Sequence, residues 1–206
     1  MSNQTTRVGK QHLIEVAESL FIEYGYQAVS IRDIAQAGGV TNAALYYYFP
    51  NKEALFSEVL TYHVGCLQNR LNNAAAMKSD HRDRIVAMLL AYSEHVAESR
   101  SPLFLLRFKA DKVAKEEIYE QHSQHAQHIK DMIQPFEDEL HMAIKAGVLK
   151  PLPEGYSPAS FLLGLFHGMV QHRRASKDWE ISPEDVTLVV DIFWKGMSSK
   201  SETKNK

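Results

Sequence analysis

The chain has 206 residues, 45% of them hydrophobic, with 23 Lys+Arg against 25 Asp+Glu and a formal net charge of −2. This is enough for a substantial core, or for a small domain plus a larger one. So small a charge excludes a general DNA coat, whose affinity comes from neutralising phosphates. No apolar run is long enough to span a bilayer, the stretch Met1–Arg7 lacks the apolar core of an export signal, and the single Cys66 excludes an intrachain disulfide, so a cytoplasmic protein away from membranes is expected.

Leu13, Ile14, Ala17, Leu20, Phe21 and Tyr24 recur at helical spacing, and Gly25 provides the stop. Arg7 and Lys10 precede this helix, either free to reach a DNA backbone or part of an ordinary solvated terminus.

The next stretch is the most informative. Ser30 is a good N-cap and Asp33 can complete a capping box, while Ile31, Ile34 and Ala35 supply a short apolar face. Gly38 and Gly39 end the helix by reaching the left-handed conformation of a sharp turn, and Val40 plugs the corner. Thr41 or Asn42 caps a second helix through Phe49. Leu45 and Phe49, four apart, face inward, leaving Thr41, Asn42, Ala43 and Tyr47 outside with Tyr46 near the edge. Pro50 ends that helix, Asn51 caps a third, and Lys52 sits in its first turn. Two short helices joined by a glycine turn form a helix-turn-helix, the unit that enters a DNA major groove.

The residue types suit that task. Asn42 can pair with an adenine edge, Ala43 or the Thr41 methyl can touch a thymine methyl, and Ser30, Thr41 and the hydroxyls of Tyr46, Tyr47 and Tyr48 can approach the backbone. Lys52 adds an ammonium to a helix N-terminus that already attracts phosphate. Nearby charge does not reinforce this: Arg7, Lys10, Arg32 and Lys52 face Glu15, Glu18, Glu23, Asp33 and Glu53, so non-specific affinity is expected to be modest.

The segment Ile31–Leu55 resembles the DNA-binding signature of the TetR family of bacterial transcriptional regulators. The resemblance lies in Ile34-Ala35, Gly39-Val40, Leu45-Tyr46, Tyr48-Phe49 and Lys52-Glu53-Ala54-Leu55. Gly38 stands where the family usually has alanine and Ala43 where glycine is common. The resemblance implies a three-helix reading domain over residues 1–51 and a larger helical effector-binding and dimerisation domain over 52–206.

The remaining sequence reads as helix throughout. A long helix runs from Lys52 toward Ala76 and is the natural lever between the domains. Further helices are expected near Arg82–Ser99, Pro102–Ala114, Glu116–Ala146, Pro158–Ser176 and Pro183–Lys200, with a loop at Gly147 and Pro151–Gly155 and a frayed tail at Ser198–Lys206. No segment alternates with period two, so the fold class is all-α.

Two C-terminal helices are rich in apolar residues. They carry Phe161, Leu165, Gly168 and Met169 on one, and Val189 and Phe193 on the other. A buried intrachain pair would explain them. The resemblance instead implies a four-helix interface between two subunits, and two reading helices would specify a palindromic operator.

Effector residues are harder to place. Tyr92, Phe104, Phe108, Tyr119, Met132, Phe136 and Phe166 can line an apolar cavity or make plain core, and His122 and His167 are polar candidates beside them. His122, His125 and His128 cannot all reach one metal, because at 3.6 residues per turn their directions spread over about 120°; a polar histidine face is the expectation, with no metal and no cofactor. Cys66 is expected to be a small buried hydrophobe. The chain lacks a nucleophile constellation, a carboxylate–histidine pair or a phosphate loop, so no enzyme is expected. The reading is a dimeric repressor released from DNA by a small-molecule effector, with control by a protein partner as the alternative.

Overall fold

A computed structural model describes residues 9–97, 118–174 and 180–199 of the chain. These residues form eight helices: α1 (Lys10–Tyr24), α2 (Ile31–Ala37), α3 (Asn42–Tyr48), α4 (Lys52–Ala76), α5 (His81–Ala97), α6 (Ile118–Lys145), α7 (Pro158–Arg174) and α8 (Pro183–Met197). No strand occurs among the described residues, whose fold is all-α. The helix expected at Pro102–Ala114 lies outside them, as do the ends of those expected to reach Ser99 and Ser176.

The chain divides into two compact units. One holds the described residues up to Gly65 with the start of α6 as far as His128; the other holds Cys66 onward through α5, and the chain from Ile129. The division falls inside α4, which is continuous.

The first unit is built around Leu13, Ala17 and Phe21 of α1, Ile34 of α2, Leu45 of α3 and Leu55, Phe56 and Val59 of α4, all buried. Each short helix is fixed by its caps. Ser30 Oγ accepts the Asp33 N–H at 3.2 Å, while the Asp33 carboxylate accepts the Ser30 N–H at 2.8 Å, so the capping box of α2 is complete. Thr41 caps α3, and Asn51 Oδ1 accepts the Ala54 N–H at 2.7 Å at the start of α4. The turn differs from expectation in one respect. Gly38 is right-handed at φ −78°, and only Gly39, at φ 67°, takes the left-handed step.

The second unit has its own core, in which Ile85, Leu89 and Tyr92 of α5 meet Phe136 and Leu140 of α6, Leu162 and Phe166 of α7, and Val186, Val190 and Phe193 of α8. Proline inside a helix removes one backbone hydrogen bond, yet α6 continues through a buried Pro135. A buried carboxylate joins α5 to α6: Glu139 accepts from His81 Nδ1 at 2.6 Å and from Arg84 at 3.1 Å. Ser198, expected in a frayed tail, bridges Leu149 instead, and the Lys150 N–H donates to the Met197 carbonyl at 2.7 Å. Cys66 is exposed rather than buried, because it falls on the outer side of α4 between Val64 and Leu67, which are the buried positions.

Candidate nucleic-acid interface

Helix α3 presents two faces of opposite character. Leu45 and the C-cap Phe49 are buried, while Thr41, Asn42 and Ala43 at its N-terminal end are exposed. Tyr46 is 51% exposed and Tyr47 84% exposed. So large an aromatic left in solvent contributes little to stability, which directs attention to its surface chemistry. Tyr48 is half-buried against the core, its ring edge-on to Tyr47 at 5.2 Å between centroids.

The caps restrict what the hydroxyls can do. Thr41 Oγ1 accepts the Ala44 N–H at 3.1 Å and keeps its own proton to donate. Ser30 donates both its N–H and its O–H to Asp33, the latter at 2.6 Å, so its hydroxyl proton is already engaged within the helix cap. Those two bonds hold the Asp33 carboxyl below the usual carboxylate range.

An open pocket of about 470 Å³ lies beside the helix start, lined by Gln27, Ala28, Val29, Ser30, Ile31, Arg32, Asn42, Tyr46 and Lys52. It brings four of the predicted residues together, Ser30, Asn42, Tyr46 and Lys52, and adds Gln27 and Arg32, which the sequence reading left aside. Arg32 is exposed directly after the first residue of α2, and an arginine in the opening turn of a capped helix is the signal that could have found it. Lys52 stands with its ammonium 4.1 Å from the centroid of the Tyr26 ring. Burial, followed by the hydrogen bond to Glu53, pushes the Tyr26 phenol far above its ordinary range. Lys10, for which the sequence left open a reach to DNA or an ordinary solvated terminus, pairs with Glu58 at 2.8 Å and lies over Phe49.

Residues 13–59 match the family model of bacterial regulatory proteins of the tetR family. Over this segment the chain is similar to the TetR family. It is 26% identical over 123 residues to the HTH-type transcriptional repressor KstR2 of Rhodococcus jostii, a match covering 60% of each chain. The chain thus spans about 60% of that relative's length. Its fold is similar to that of a protein of unknown function from Rhodococcus sp. RHA1, with TM-score 0.72, 24% identity and coverage of 95% of this chain and 100% of that one. It is also similar to the transcriptional regulator FadR from Bacillus subtilis, solved in complex with stearoyl-CoA, with TM-score 0.69, 16% identity and coverage of 92% and 100%.

In the second unit Tyr92, Phe166 and His167 come together. The Tyr92 ring lies 5.7 Å from Phe166 and 6.0 Å from Phe136, and its hydroxyl is 3.0 Å from His167 Nε2. Phe104 and Phe108, and the side chains of Tyr119 and His122, lie outside the described residues. His125 does too, while His128 is buried with its Nε2 3.2 Å from the Thr61 hydroxyl.

The apolar C-terminal helices need one correction. Val189 and Phe193 are buried in the unit's own core, at 5% and 4% exposure, because they share the inner stripe of α8 with Val186 and Val190. The apolar residues that α8 exposes are Leu188 and Ile192. On α7, Phe161, Leu165 and Gly168 are exposed and Met169 is half-buried.

Proposed function

We propose that the chain is a dimeric transcriptional repressor that binds a palindromic operator and leaves it when a small-molecule effector binds. The observation that carries this reading is the exposed N-terminal half of α3. Thr41, Asn42, Ala43, Tyr46 and Tyr47 stand there in solvent, on a helix whose own capping needs are met and next to Lys52. Asn42 reads a base, Thr41 and the tyrosines contact backbone and groove, and Lys52 neutralises a phosphate.

A single short helix specifies only a few base pairs, so the reading requires two copies. The exposed apolar residues Phe161, Leu165, Leu188 and Ile192 suit a second subunit, and Gly168 allows close helix approach. Residues 1–51 then act as the reading domain and 52–206 as the effector and dimer domain. Effector binding around Tyr92, Phe166 and His167 shifts the balance between DNA-competent and DNA-incompetent dimers. The stearoyl-CoA bound to FadR makes long-chain acyl-CoA the first effector class to test. The test is a gel shift on DNA selected by the protein, with stearoyl-CoA, free stearate or CoA added. Release by one of them supports ligand control; undiminished binding with all three removes acyl-CoA as the effector.

A further inference from the structure

Lys10 is the first residue of α1, yet its side chain is engaged at the corner between α3 and α4. Its ammonium donates to Glu58 Oε1 at 2.8 Å, in the second turn of α4, and lies 5.6 Å from the centroid of the Phe49 ring. Phe49 is the C-cap of α3, its N–H bonded to the Leu45 carbonyl, and its ring is buried. Only Pro50 and Asn51 separate it from α4. One cation on a third helix therefore spans the short corner at which the exposed helix passes into the long one. Carboxylate and ring act on it together, the first by charge and the second by the quadrupole of its π system. The lysine stem starts from a fixed point, because Leu13 and Ile14, one turn further along α1, are buried in the core that Phe49 shares.

We propose that Lys10 is a positioning residue for DNA binding: by bridging Glu58 and Phe49 it holds the angle between α3 and α4, and so the direction in which Thr41, Asn42 and Ala43 are presented. The inference rests on the DNA-binding reading above. The ammonium then serves the fold rather than a phosphate, and Glu58, an acid, favours the binding of a polyanion. Simple charge would give Glu58 the opposite effect, because a carboxylate near DNA repels it.

The test compares wild type with K10M, E58Q and K10M/E58Q by fluorescence anisotropy, on a duplex selected by the protein and on a random-sequence duplex, between about 50 and 200 mM salt. E58Q lowers affinity for the selected duplex, by up to about fivefold, and holds the random duplex as well as wild type does or better. K10M also weakens the selected duplex, at an unchanged slope of log affinity against log salt. The double variant is no weaker than K10M. An E58Q variant that binds the selected duplex as tightly as wild type, or loses equally on both duplexes, overturns the proposal. Losses that multiply in the double variant do the same. A K10M slope lowered by about one would make Lys10 a phosphate contact and overturn it too. Failure of the wild type to bind either duplex would instead overturn the DNA reading, and the proposal with it. The paired side chains are 45% and 44% exposed, so the variants are expected to fold, as thermal melts would record. Should one not fold, the Lys10 ε-methylene protons of the wild type decide the matter. An upfield ring-current shift from Phe49 supports the bridge, and ordinary lysine positions overturn it.

Discussion

Thr41 Oγ1 accepts the Ala44 N–H at 3.1 Å, so the side chain that starts α3 has a structural task beside the recognition task proposed for it. The bond satisfies one of the helix's unpaired N–H groups and fixes where Asn42 and Ala43 emerge. Thr41→Ala is expected to cost about 1 kcal/mol of stability as well as DNA affinity. Thr41→Ser keeps the cap and loses only the methyl. Thermal melts and operator titrations of both variants separate the roles; equal stability of Ala and wild type would show that the cap is idle.

Asn42 follows the cap and is exposed. Asn42→Ala is expected to relax discrimination at one base pair, by about 1–3 kcal/mol, while leaving other positions unchanged. Competition with single-base operator variants measures this. An equal loss on every sequence would assign Asn42 to the backbone.

Acid sensitivity follows from two capping boxes. The Ser30 hydroxyl and amide hold the Asp33 carboxyl below its ordinary pKa, and the Arg173 guanidinium, helped by Ser182, does the same for Asp185. A pKa lowered in the folded state means stability that is present above the unfolded value and is lost as pH falls through the lowered one. Melting temperature should therefore fall on the acid side. Ser30→Ala removes the larger cause at Asp33, the hydroxyl, while the amide remains; it lowers the melting temperature at neutral pH and makes the acid limb shallower. An unchanged limb would show that Asp33 does not draw on that serine.

On the proposed dimer, helix α8 separates folding from assembly. Phe193 is buried and Ile192 is 56% exposed. Phe193→Ala is expected to cost about 3–5 kcal/mol of stability. Ile192→Glu should leave the subunit folded and shift it from dimer to monomer, as light scattering would record. A dimeric Ile192→Glu variant would place the interface on another face.

The parts legible in the sequence are those set by near neighbours. Ser30 with Asp33, Thr41 with the turn after it, and Leu45 with Phe49 are separated by four residues or fewer, and each pattern has a single good geometry. The pairing of Tyr26 with Lys52 was not legible, because it joins two elements far apart in the chain and depends on how α1 and α4 pack. The buried side of α8 was hidden for a different reason. Leu188 and Ile192 continue the apolar pattern of Val189 and Phe193 around the helix, so periodicity gave no sign of which stripe faces the core. The pairing of Lys10 was hidden because its partner Glu58 is distant in sequence.

The most direct test of a dimeric, sequence-reading protein is selection of sheared genomic DNA by the purified chain at about 0.15 M salt, followed by sequencing and footprinting of the bound fragments. The account predicts a short palindrome protected on both half-sites, one helical turn or a multiple of it apart. An unenriched pool, or a single half-site protected without its symmetric partner, would contradict it.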